Sequence, residues 1–106
     1  MIGLSVYPYW DVEGKLEKDW QGTIRDFTAT IRHLYEKYGS ESMVVETGAE
    51  AKKPEEGKKI MAAVIKAAKN DCNGHCHGVF YWAPELEGDY PLGAFQNHRP
   101  TAIMDA

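Results

Sequence analysis

The sequence predicts an α/β fold: three consecutive parallel β/α units, ordered βαβαβα, that form part of a (β/α)8 TIM barrel. Three observations predict it. Short runs rich in β-branched and aromatic residues recur at 2–7, 42–46 and 78–82. Stretches with helical apolar spacing separate them, as parallel strands with helical crossovers require. Residues two apart on each run then gather polar and aromatic groups at the strand ends, which is how a barrel carries a functional rim above its inner layer.

The first strand, 2–7, stops at Pro8, which has no N–H to give a ladder. Residues 9–18 make a polar loop. Asp19 caps a helix whose apolar positions, Trp20, Ile24, Phe27, Ile31, Leu34 and Tyr38, are spaced 4, 3, 4, 3 and 4 apart and form one buried stripe. Gly39 ends it. The second strand, 42–46, is apolar on consecutive positions, as a parallel strand covered on both faces is. Thr47-Gly48 breaks it. Pro54 followed by Glu55 and Glu56 starts the next helix, with no N–H at its first turn and carboxylates at the positive end of its dipole. That helix runs through Ile60, Met61, Val64, Ile65 and Ala68 to Asn70. After a hinge at 71–77 comes the third strand, 78–82, then a Gly/Pro loop, 83–100, and the beginning of a last helix, 101–106. With a period of two, Gly3, Ser5 and Tyr7 share an inner face, as do Val44 with Glu46 and Phe80 with Trp82. Leu4, Val6, Met43, Val45, Val79 and Tyr81 are left to face the helices.

The 106 residues make a single domain, 1–106, with no linker or low-complexity stretch. A formal charge of −4 without a basic stripe argues against a nucleic-acid or anionic-membrane surface. No apolar run approaches the roughly 20 residues needed to cross a bilayer. The first residues lack the basic and apolar regions of a signal peptide, so the expected location is cytoplasmic if the chain is expressed alone. Cys72-Asn73-Gly74-His75-Cys76-His77 holds two thiols and two imidazoles. Its C-x3-C spacing is not a zinc-finger pattern, and one tight loop supplies four tetrahedral ligands with difficulty. A structural loop, its thiols free or joined, is the expectation, with no metal and no cofactor. His33 and His98 are isolated and read as surface residues.

Glu46 is the main chemical signal. It ends an apolar strand, and a carboxylate buried beside valines is costly unless paired or functional. It faces solvent, caps the next turn or performs chemistry; the bare pattern allows all three. Its neighbours add weight to the third. The first strand ends Tyr7-Pro8-Tyr9-Trp10 and the third Tyr81-Trp82-Ala83-Pro84-Glu85. Sugars offer flat C–H faces to aromatic rings and hydroxyl rims to carboxylates and phenols. Each ring alone reads as core packing. Together on three adjacent strand ends they read as a carbohydrate cleft.

Residues 2–10 (IGLSVYPYW), 44–48 (VVETG) and 78–85 (GVFYWAPE), followed by 93–97 (GAFQN) and 100–102 (PTA), resemble the sixth, seventh and eighth strand motifs and the end of glycoside hydrolase family 53, the arabinogalactan endo-β-1,4-galactanases. The resemblance covers nearly the whole chain in order. It implies a (β/α)8 barrel that degrades a polysaccharide, β-1,4-galactan or arabinogalactan, with retention of configuration. It implies Glu46 as nucleophile, Tyr7 orienting it, and Trp82 as a sugar platform. Tyr9, Trp10 and Glu85 fall at substrate-cleft positions. The full-length family is secreted or held at the cell envelope.

Two departures matter. Retaining hydrolysis needs a second carboxyl about 5–5.5 Å from the first. The family's acid/base follows its fourth strand in an Asn-Glu pair that this chain lacks, so the chain alone is expected to be inactive. Glu85, Glu87 or Asp89 are poorly placed substitutes, on a loop from the wrong strand. The calcium loop of some members is replaced here by Ala49-Glu50-Ala51-Lys52-Lys53, without ligands, so no calcium is expected. Three strands also leave Val44, Phe80 and Tyr7 facing water and two edges unpaired, which predicts self-association. The alternative reading is a non-catalytic carbohydrate-binding half-barrel or self-associating module. A small flavodoxin-like domain finds no Gly-rich phosphate loop to support it.

Overall fold

The computed structural model describes residues 1–8 and 19–106. Strand β1 (Ile2–Ser5) leads to helix α1 (Trp20–Tyr38), strand β2 (Ser42–Glu46), helix α2 (Pro54–Asn70) and strand β3 (Cys76–Val79). The three strands form one parallel sheet in the order β1-β2-β3, which makes the chain an α/β protein. The long C-terminal loop holds a two-residue antiparallel hairpin, β4 (Phe95–Gln96) with β5 (Arg99–Pro100), that the sequence pattern did not suggest. A single 3-10 turn, Ala102–Asp105, stands where the last helix was expected to begin. Among the described residues no helix is long and apolar enough to cross a membrane.

Local chemistry explains the helix ends. The Asp19 carboxylate accepts the Gly22 N–H at 3.1 Å, satisfying one orphan donor of α1. Gly39 ends the helix in the left-handed conformation at φ 65°, its N–H returned to the Tyr35 carbonyl. Pro54 opens α2 with Glu55 and Glu56 in its first turn. Ile24, Phe27 and Ile31 of α1 and Ile60, Met61 and Val64 of α2 then join Val6 and Val44 in one buried core. Tyr38, expected in the stripe, is 64% exposed at the last residue of α1.

One face of the sheet packs on the helices and the other is open. On β1 the alternation is as expected: Leu4 and Val6 pack into the core, and Gly3 and Ser5 are exposed. On β2 the expected facing of the valines is reversed. Val44 is 0% exposed in the core, whereas Val45 is 41% exposed, and a Cβ on Gly3 would meet Val45 Cγ1 at 3.0 Å. The cause is a bulge. Leu4 pairs with Val44 but Ser5 pairs with Glu46, so β2 advances two residues while β1 advances one. The extra residue, Val45, resets the phase. Glu46 lands opposite Ser5 on the open face, and Thr47, 1% exposed, returns to the core with its hydroxyl on Met61 Sδ.

β3 begins earlier than 78 and carries its own irregularity, advancing three residues from Cys76 to Val79 while β2 advances two. Pairing outlasts the regular strand: Phe80 N–H reaches the Val44 carbonyl and Trp82 N–H the Thr47 carbonyl. Val79 and Tyr81 pack on the core, while Phe80 and Trp82 are 58% and 50% exposed. Of the three residues expected to face water, Phe80 does, Tyr7 is half-buried, and Val44 does not.

Candidate active site

The carboxyl ends of the strands bring Tyr7 and Glu46 together. The Tyr7 hydroxyl donates to Glu46 Oε2 at 3.1 Å. Two backbone features make this possible. The bulge at Val45 turns Glu46 to the open face, and Val6 N–H bonds the Glu46 carbonyl, which continues the ladder and sets Tyr7 beside it. Gly48 supplies the third: a Cβ there would lie 3.2 Å from the Leu92 carbonyl oxygen and 3.5 Å from Tyr7 Cε1. A side chain there would press on the Leu92 carbonyl, which would have to give by a few tenths of an ångström, while it would meet the Tyr7 ring at ordinary contact distance.

Burial pushes the Tyr7 phenol well above the usual tyrosine range, and the Glu46 carboxylate and the neighbouring Tyr90 phenol push it the same way. Tyr7 is therefore a fixed proton donor at neutral pH. Tyr90 went unnoticed in the sequence because it sits in the Gly/Pro loop, far from any strand motif. Its approach to Tyr7 depends on how that loop folds back.

Tyr81, beside Trp82 in sequence, does the folding back. Its hydroxyl accepts the Ala49 N–H at 3.0 Å and reaches the Leu92 carbonyl at 2.7 Å, so one phenol ties the loop after β2 to the C-terminal loop. Ala51 N–H adds a bond to the Pro91 carbonyl at 3.0 Å. Trp82 presents its half-exposed ring next to this clamp, its backbone N–H donating to the Thr47 carbonyl at 2.8 Å. Ala83 follows at φ 45°, a conformation that costs a non-glycine residue about 1–2 kcal/mol and turns the chain sharply after the ring.

The remaining expected positions are distributed differently. Tyr9 and Trp10 lie outside the described residues. Glu85 is exposed in the turn after Pro84. Glu87, weighed as a substitute acid, is engaged elsewhere: its carboxylate oxygens accept the His98 N–H at 3.3 Å each, and one lies 3.3 Å from His98 Nδ1.

At the opposite end of the sheet, Cys72 and Cys76 are free thiols. Cys72 is fully buried, and burial pushes its pKa up to about 11. Glu41 meets both imidazoles of this segment, His75 Nδ1 at 3.0 Å and His77 Nε2 at 3.4 Å, and the Tyr35 ring stacks on His75 at 3.5 Å between centroids. The segment thus pins the entry of β3 to the entry of β2 and to α1. Among the described residues no group of three or more His, Cys, Asp or Glu is arranged to hold a metal ion.

Compared with models of known protein families and with curated protein sequences, the chain matches none.

Proposed function

We propose that this chain carries the nucleophile side of a retaining endo-β-1,4-galactanase site, on three consecutive β/α units of a (β/α)8 barrel. One observation carries the reading: a single carboxylate, Glu46, at the end of the middle parallel strand, held by the Tyr7 hydroxyl at 3.1 Å on the open face of the sheet. The half-exposed Trp82 ring on the next strand supplies the surface on which a sugar stacks. In the proposed reaction the Glu46 carboxylate attacks the anomeric carbon and the bond to the leaving sugar oxygen breaks. A second carboxyl gives that oxygen a proton, and water later hydrolyses the galactosyl ester. Tyr7 keeps the attacking oxygens oriented. Because the sequence contains no Asn-Glu pair to supply the acid, the chain by itself is proposed to be inactive on galactan.

A substrate that needs no acid tests the nucleophile directly. Dinitrophenolate leaves without a proton, so 2,4-dinitrophenyl 2-deoxy-2-fluoro-β-galactobioside traps a nucleophile even without its partner. Intact-mass and peptide analysis are expected to place the sugar on Glu46, with no label in Glu46→Gln and slower labelling in Tyr7→Phe. Label on another carboxylate, or none at all, overturns the reading. A second reading, a self-associating module without chemistry, is favoured by the exposed Val45, Phe80 and Trp82 on the same face. Absence of label together with dimer formation would select it.

A further inference from the structure

The chain has three asparagines, Asn70, Asn73 and Asn97, and the backbone N–H that follows each is held differently. Asparagine is a thermolabile residue. The nitrogen of the next residue attacks its side-chain carbonyl carbon when that nitrogen is uncrowded and free of another partner. After Asn70, the Asp71 N–H donates to the Ala67 carbonyl at 2.8 Å and closes the last turn of α2. After Asn97, the His98 N–H is held by the two Glu87 carboxylate oxygens at 3.3 Å each. After Asn73 the nitrogen belongs to Gly74, and the bond that closes this turn bypasses it, running from the His75 N–H to the Cys72 carbonyl at 2.9 Å.

The surroundings of Gly74 are open as well. Asn73 and Gly74 lie at φ 52° and 80°, the positive values that a type I′ turn demands of its two central residues. Asn-Gly is the pair such a turn prefers, so the residues that suit its geometry are also the reactive ones. Both are exposed, and a Cβ at Gly74 would meet nothing within 4 Å.

We propose that Asn73 is a site of spontaneous deamidation, and that its isoaspartyl product loosens the entry of β3. The Gly74 nitrogen loses its proton to hydroxide and attacks Asn73 Cγ. A bond forms between them, the bond from Cγ to the side-chain nitrogen breaks, and ammonia leaves with a proton from water. Water then opens the five-membered ring at either of its carbonyls, giving an aspartyl or an isoaspartyl residue, with no change of oxidation state. The aspartyl form keeps the turn, since aspartate tolerates the left-handed region as asparagine does. Its new charge joins the groove that Asn73 shares with Arg32. The isoaspartyl form puts one more methylene into the main chain between Cys72 and His75, and the turn bond is lost. That turn delivers His75 to Glu41 and to the Tyr35 ring, so the loosening falls at the end of the sheet opposite Glu46.

Ageing the whole chain in mildly alkaline buffer, with and without urea, and following each asparagine by peptide mass analysis tests the site. In urea all three following nitrogens are free. In the folded chain Asn70 and Asn97 are each expected to react about fivefold more slowly than in urea, the value of one net hydrogen bond, while Asn73 keeps nearly its unfolded rate. Isoaspartate methyltransferase is expected to methylate the aged parent but not aged Asn73→Gly, which keeps the positive φ and has no side-chain amide. In the isolated isoaspartyl form, the His75 amide is expected to exchange its hydrogen faster than in the parent. Folding that slows Asn73 as much as the other two, or methylation that persists in Asn73→Gly, overturns the site. Deamidation at Asn73 with unchanged exchange at His75 overturns the loosening of β3.

Discussion

Two tyrosines, Tyr7 and Tyr81, each lose one oxygen on substitution by phenylalanine, and the structure assigns that loss very different consequences. The Tyr81 hydroxyl bonds the Ala49 N–H at 3.0 Å and the Leu92 carbonyl at 2.7 Å, and these residues are 1% and 3% exposed. The groups left behind when the oxygen is gone belong to buried residues. An unsatisfied buried donor or acceptor costs about 1–3 kcal/mol, so Tyr81→Phe should destabilise the chain by about 2–5 kcal/mol. For a domain near this size that is a fall of about 10–20 °C in Tm, out of a total stability of about 5–15 kcal/mol. Tyr7→Phe removes one donor from Glu46, a half-buried carboxylate on the open face that water can solvate instead. Its cost should stay near 1 kcal/mol. Urea denaturation followed by circular dichroism, with equal m-values as the check on two-state behaviour, measures both. Equal losses, or a larger loss for Tyr7→Phe, would show that the clamp between the two loops is not where the stability of this end of the sheet resides.

Four other outcomes follow from the same geometry. Gly57→Ala gains about 1 kcal/mol of helix propensity, but its Cβ would sit 2.7 Å from Ile103 Cγ1, an overpacking cost of about 1–3 kcal/mol, so the melting temperature should fall. Because the folded state raises the Tyr7 pKa, the stability linked to that phenol is whole below about pH 10 and is lost as pH rises through its folded value. Urea midpoints should therefore drop above pH 10 less steeply in Tyr7→Phe than in the parent, and identical slopes would refute the assignment. Cys72, buried and with its pKa pushed up to about 11, should resist a disulfide reagent at neutral pH while the half-buried Cys76 reacts, and release its thiol only on unfolding. Burying a Val or Phe side chain is worth roughly 1.5–3 kcal/mol, so the exposed Val45 and Phe80 should drive self-association, visible in light scattering over a dilution series and reduced in Phe80→Glu. A clean monomer at every concentration would contradict this.

The helices were legible because their signals are local. The Asp19 cap, the Gly39 stop, the Pro54 start and the stripe from Ile24 to Ile31 each depend on residues within a turn or two. The strand positions were legible from composition, and the start of β3 was missed because Cys76 pairs with Ser42, and the His75 carbonyl accepts the Ser42 N–H, through backbone groups that composition does not report. Long-range closure was not legible. Nothing local says that the Tyr81 phenol, rather than the Tyr7 phenol, bridges two loops, that Tyr90 returns to the Tyr7 ring, or that Glu87 is committed to His98.

The second strand shows why strict alternation is a poor guide at a site. With a period of two, Val44 and Glu46 must share a face, so any placement of Glu46 on the open face draws Val44 out of the core. Val44 and Thr47 instead both sit in the core, three residues apart, and two residues between them, Val45 and Glu46, turn to the open side. One bulge thus allows a valine to pack and a carboxylate three atoms of backbone away from the next core residue to remain accessible, with no buried charge. The bulge falls where β1 offers the exposed Gly3 and Ser5, so the extra valine has room over Gly3 and the carboxylate lies opposite the small Ser5, within reach of the Tyr7 hydroxyl. Straightening β2 with Val45 kept, so that Val45 paired with Ser5, would shift Glu46 on to Val6 and away from the Tyr7 hydroxyl. The position of the single candidate nucleophile is therefore a property of strand pairing, and the apolar sequence around it acquires that meaning only once β1 is alongside.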